Sequence, residues 1–402
     1  MFNNSNQGSK VRGYIRIVAA WALYLPSVFS GISYAQVPQV VLAGVAYSGD
    51  AQTIAARFPY SLRYEQTLKS AGESPYSKVR QALTLVPPTN LEVLTSQIDE
   101  LKGRDQALVA SLVVNSETVS VEQFGQLRKL LVMIRGQTLF FDFKSMTVVR
   151  SYPISFAYID TLDRQPTEEE VLARVKQVYE GTASKPGLYA RFAGTLAKAT
   201  LPTNVPRYLQ VSRVSLSPDV LNALPDYLKS SPTVAETWAA DLVSEALSTR
   251  LGIPLVPYSK GYAIGNVMSM RVSDSTVFTL TLPKPDYEIS VDFTGLKKIK
   301  YGEVNAGASF IYGAYATLKI EEPLSGTAYM NTSLKNGEVK VVPMTQTYVD
   351  DFPAFYDSLN GLFGKLAEAI GGKGNTWVKA AAAAPDIESQ IIKTRELINL
   401  CQ

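Results

Sequence analysis

The chain has 402 residues, 46% hydrophobic and 19% charged, the balance of a folded globular protein large enough for two hydrophobic cores. Its charges nearly cancel, 39 basic against 36 acidic, and three of the basic ones (Lys10, Arg12, Arg16) fall in the first 35 residues, so the remainder offers no positive field for nucleic acid or an anionic membrane surface. There is no histidine and a single cysteine, Cys401, which excludes Ser-His-Asp and Cys-His catalysis, histidine- or thiolate-ligated metal and any intramolecular disulfide.

Residues 1–35 read as a cleaved export signal. The basic residues precede an apolar stretch, Ile17 to Phe29, and then Ser33-Tyr34-Ala35 as a small-x-small cleavage site before Gln36. The alternative is an amino-terminal anchor helix that stays attached. Cys401 is far from the mature amino terminus, so this is not a lipoprotein signal. No later apolar run is long enough to cross a bilayer as a helix.

Val40 to Ala46 has the composition of a buried strand. Asn90 followed by Leu91, Leu94, Ile98 and Leu101 predicts a capped helix over 91–101. Ala107 to Val114, Leu130 to Phe143 and Thr147 to Tyr158 read as strands, with Lys144-Ser145-Met146 as a hairpin connection. Thr167 with Glu170 forms a capping box for a helix to Tyr179. Residues 181–205, with a short helix at Leu188 to Lys198, read as the linker. The order then repeats: strand Tyr208 to Leu216, helix Val234 to Leu251 capped by Thr233 and Glu236 and stopped at Gly252, then strands at Val277 to Leu282, Asp286 to Phe293, Ser309 to Ile320 and Gly326 to Leu334. The fold class expected is α/β of the α+β type. It has a first unit at 36–180, a second at 206–345, both strand–helix–antiparallel meander, and a helical region at 346–402. In that region the apolar face of Phe352 to Ile370 is followed by a hinge at Gly371–Gly374 and a helix to Leu400 broken at Pro385.

Candidate chemistry is sparse. Asp286, Glu288, Ser290 and Asp292 share one side of a strand and read as the solvated face of an antiparallel sheet; the alternative is a cation site or a carboxylate pair spaced for glycoside chemistry. Lys297, Lys298 and Lys300 would face them from a neighbouring strand. Glu321-Glu322 and Asp350-Asp351 suit a turn and a helix start. Gly371 to Thr376 lacks the spacing of a phosphate loop, and no nucleophile elbow or dinucleotide fingerprint is present. No catalytic, cofactor-binding or metal-binding residue is assigned. The partner-binding candidates are Phe352, Phe355, Tyr356, Leu359 and Phe363, whose aromatic face would otherwise pack on the chain's own sheet.

Residues 206–342 resemble the α/β domain of bacterial envelope accessory proteins, of the TolB amino-terminal and curli-secretion lipoprotein types. The resemblance is carried by the strand Tyr208–Leu216, the helix AETWAADLVSEALSTRLG, the segment IPLVP read as a strand, and the hairpin YATLKIEEPLSGTAYMN. It is one of pattern and transfers no functional residue; the missing lipid-carrying cysteine also keeps membrane anchoring from transferring. With the signal, it implies an exported, non-enzymatic envelope protein, periplasmic or secreted or peripheral to the outer membrane, that contacts envelope proteins or further copies of itself. A carboxylate-dependent glycan-acting enzyme and a periplasmic ligand-binding protein are the alternatives.

Overall fold

The computed structural model describes residues 37–49, 52–95, 107–124, 126–201, 206–263, 265–272, 276–305, 307–346 and 349–402. The export-signal segment lies outside them. Strand β1 (Gln39–Ser48) is buried from its second residue on, as its unbroken apolar sequence requires of a strand with neighbours on both sides. Helices α1 (Ile54–Arg57), α2 (Pro59–Ser70) and α3 (Pro75–Leu85) follow, then β2 (Glu92–Leu94). The meander β3 (Leu108–Phe124), β4 (Leu127–Asp142) and β5 (Thr147–Leu162) comes next. Helix α4 (Glu168–Glu180) starts with the expected Thr167–Glu170 capping box. A two-residue hairpin, β6 (Gly181–Thr182) and β7 (Lys185–Pro186), leads to α5 (Leu188–Leu196), whose Leu188, Phe192 and Leu196 are buried against the first sheet.

The second half runs β8 (Leu209–Leu216), α6 (Pro218–Ala223), α7 (Pro232–Leu251), α8 (Ser259–Tyr262), β9 (Val267–Val272), β10 (Val277–Thr281), β11 (Tyr287–Val304), β12 (Gly307–Glu322) and β13 (Thr327–Pro343). It closes with α9 (Phe352–Ile370), α10 (Asn375–Ala381) and α11 (Ile387–Leu400). The repeated order is visible in the pairing. In one sheet β1 lies parallel to β3, which continues antiparallel into β4 and β5; in the other β8 lies parallel to β11, which continues into β12 and β13. The fold is thus the expected mixed α/β one with carboxy-terminal helices.

The two sheets share one compact unit, residues 37–402. Hairpin β9–β10, from the second half, pairs with β5 on one side and with the end of β1 on the other, closing the first sheet into a ring. The segment IPLVP is not a strand. It stitches the halves together, Leu255 donating its amide to Ser151 of β5 and Val256 to Leu209 of β8. Helix α7 is buried round much of its circumference (Trp238, Ala239, Ala240, Leu242, Val243) because it packs on β5, β8 and α9 at once. The layers are helices α2–α5, first sheet, α7 with α9, second sheet. The outward face of that last sheet meets water.

Two further expectations need correction. The stretch read as a helix over 91–101 holds β2, because Gln39 to Val41 of β1 offers it a pairing edge; residues 96–106 lie outside the described ones. The cap of α7 is Ser231, accepting from the Val234 amide, with Pro232 in the first turn, and not Thr233; Gly252 ends the helix at φ +68° as expected. Cys401 is buried, and burial pushes its thiol up to about 12. With almost no thiolate at pH 8, the native protein should react with a thiol-specific disulfide reagent only on the time scale of unfolding. Immediate stoichiometric labelling would contradict this placement.

Candidate functional site

A cleft of about 520 Å³ lies between the first sheet and α7. A β-bulge at Asn115 builds it. Val114 pairs with Gly136 and Ser116 with Arg135, so Asn115 is left over in β3 and its carbonyl turns to Arg57. Gly136 is required there, because a Cβ would stand 2.6 Å from the Val113 carbonyl oxygen. Arg57 donates to Ser48 O (2.6 Å) and to Asn115 O (2.9 Å), fixing α1 over the bulge.

Glu117, next on β3, accepts from the Tyr60 and Ser61 amides (2.9 and 2.7 Å). It thereby caps α2, whose own preceding residue, Phe58, has no side chain able to do so. Burial raises its carboxyl pKa despite those bonds. Across the cleft Arg135 donates to Trp238 O (3.0 Å) and lies 3.5 Å from Asp241, which also accepts from the Tyr262 hydroxyl. Burial pushes the Asp241 carboxyl up to about 6, with Arg135 and Tyr262 opposing. Arg135 Nε is buried without a hydrogen-bond partner. The remaining lining sets hydroxyls (Ser116, Thr118, Thr237) and Tyr227 among apolar side chains such as Val119, Met133 and Trp238. Every charged group in the cleft is therefore engaged by the chain itself, an arrangement that holds sheet to helix. Among the described residues no three carboxylates or thiols converge as metal ligands.

The sequence-derived acids lie elsewhere. Asp286 accepts from Arg207 (2.7 Å) and the Tyr208 amide, Glu288 from Ser212 (3.0 Å) and Asp292 from Ser215 (2.5 Å), all on the outward face of the second sheet. The lysines do not face them from another strand. Lys297, Lys298 and Lys300 continue β11 itself, Lys298 pairing with Asp351 and Lys300 with Glu303. Glu321 pairs with Lys319, and Asp350 and Asp351 precede α9. The five partner-binding candidates of α9 are covered from within. Phe355, Leu359 and Phe363 are buried, Phe363 against Phe293 and Phe355 against Tyr312, while Phe352 and Tyr356 lie against Trp238.

A surface the sequence did not single out is the far end of the second sheet. Register aligns Ile299, Ile311 and Val339 across its three strands, with Val341, Val304 and Pro343 beyond on the same outward face. Ile299, Val339, Val341 and Val304 are 50–68% exposed. The same face is acidic and hydroxylic beside β8, so it changes character along its length. On its outer edge β13 is paired, among the described residues, only near Leu334, by the Ala382–Ala384 segment.

No family model matches this chain, and no curated protein matches it. Among solved structures it is similar to a minor lipoprotein from Acinetobacter baumannii (12% identity, 42% of this chain and 98% of that one, TM-score 0.24). It is also similar to a Xanthomonas campestris protein of family model DUF330 (12% identity, 44% and 86%, TM-score 0.22). Likenesses at such scores decide neither fold nor function. No described helix is long and apolar enough to cross a membrane.

Proposed function

We propose that this is an exported, non-enzymatic protein of the bacterial cell envelope that works through contacts with other proteins, made at the far end of its second sheet. The observation that carries the reading is the apolar outward face of Ile299, Ile311, Val339 and Val341, with Val304 beyond them, exposed on a sheet whose other end is polar. Such a patch on a soluble unit marks an interaction surface. The export-signal pattern supplies the compartment. The test is a photo-crosslinking residue placed at Val341 or Tyr301 in growing cells, with Leu324, an exposed hairpin tip, as control. Protein adducts from the first two and none from the control are expected. No adduct from either would sink the reading.

A second reading, binding of a small ligand, is favoured by the 520 Å³ cleft, whose hydroxyls stand among apolar side chains. If it holds, Thr237→Trp, which fills the cleft, abolishes retention of the ligand that copurifies with the protein; copurification of no small molecule counts against it.

A further inference from the structure

We propose that the outer edge of β13 pairs with β13 of a second copy of this chain, about a two-fold axis through Val339; this rests on the protein-contact reading above. The backbone sets which groups are on offer. Asn331 donates its amide outward to Gln390 (2.9 Å), and the Ser333 carbonyl accepts outward from Ala383 (2.9 Å). In an antiparallel strand every second residue presents both its amide and its carbonyl to the same side. Lys335, Gly337, Val339 and Val341 therefore carry the outward groups; Lys335 lies opposite Ala381 at the end of α10, and from Gly337 on no pairing partner lies along this edge among the described residues. Pro343 has no amide, and ends the ladder.

A two-fold axis at Val339 pairs outward residues only with outward residues: Val339 with itself and Gly337 with Val341, on both sides of the axis. The charges agree with this register. Glu338 of one copy falls opposite Lys340 of the other, twice over, in the closely spaced non-hydrogen-bonded positions where cross-strand side chains interact most. Both side chains are only partly buried, with 35% and 42% of their surface exposed, so their present partners Lys365 and Asp357 do not remove them from reach. Moving the axis to Gly337 or Val341 loses both opposite-charge pairs. On the other face, Val339 meets Val339 and Val341 meets Gly337, extending the uncovered apolar row into the partner. The result is one continuous sheet of eight strands, four from each copy. A symmetric, self-complementary contact of this kind is the commonest way for chains to assemble.

The full chain, purified at tens of micromolar and measured by light scattering, should contain dimer. In a Cys401→Ser background, Val339→Cys should form a disulfide with itself on mild oxidation, faster than Val341→Cys, which lies opposite Gly337. Lys340→Glu should raise the dimer dissociation constant about tenfold, and Glu338→Lys with Lys340→Glu should restore it. A monomer with no Val339→Cys crosslink overturns the pairing, as does a dimer in which Val341→Cys crosslinks to itself first or the double exchange fails to rescue. Crosslinks from Val341 to other proteins in cells, combined with a purified monomer, would end the self-pairing while leaving the contact reading standing. Loss of every crosslink at this surface would end both.

Discussion

Phe363→Ala is expected to lower unfolding stability by about 3–5 kcal/mol, the usual loss when a fully buried phenylalanine leaves a cavity. Phe363 is fully buried on α9, its ring 5.5 Å from that of Phe293 on the inner face of the second sheet. Helix α9 bears on β12, β13 and α7 together, so the cavity would open where the last two layers meet and could collapse only by moving a helix. Its carboxy-terminal end is also held, since Arg395 of α11 donates to the Ile370 and Ala369 carbonyls. Denaturant unfolding checks this, comparing midpoints at constant slope. A loss below about 1 kcal/mol, accompanied by loss of a partner, would return this face to the role of a docking surface.

Asp241→Ala is expected to cost about 3 kcal/mol or more, for a different reason. Arg135 has only 6% of its side chain exposed, and removing Asp241 takes away its nearest counter-charge, leaving the more distant Glu245, beside a Nε that already lacks a partner. The pair also predicts a direction with pH. Because burial raises the folded carboxyl to about 6, above the ordinary 3.8, the folded state holds this proton more tightly than the unfolded chain does. The contribution is fully present below pH 3.8 and is lost as pH rises through 6, amounting to about 3 kcal/mol at most. Unfolding at pH 4.5 and 7.5 should therefore show wild type losing more stability on the rise than Asp241→Asn, which cannot ionise. An equal loss in both, or a larger one in the variant, would mean that Asp241 is ionised at little cost.

Much of this architecture follows from pattern. The spacing from Phe352 to Ile370 gives α9 its observed bounds, because a helix that covers a sheet must keep its apolar residues on one face. The repeated strand–helix–meander order is visible because each strand's buried part alternates or runs apolar. What pattern does not carry is whatever depends on a distant neighbour. Residues 297–304 extend β11 although every one of them is exposed, since their support is pairing with β12 and not burial. Leu91 and Leu94 have helical spacing, but the edge of β1 claims Glu92 to Leu94. The cleft was legible only as anomalies: Arg135 interrupts LLVMIRGQTLFF, and Asp241 interrupts AADLV. An ionised group within an apolar run requires a buried partner, yet the partner is 106 residues away and no spacing rule names it. Glu117 gave no signal, because a carboxylate in a polar strand end is ordinary.

The reading of this protein as an exported envelope component working through its contacts is tested most directly by fractionating cells and determining, by mass spectrometry, its amino terminus together with its crosslinked neighbours. The result expected is a chain beginning at Gln36 in the envelope fraction, crosslinked through the far end of the second sheet to envelope proteins or to itself. A chain retaining Met1 in the cytosol, crosslinked to nothing, would contradict both its compartment and its mode of action.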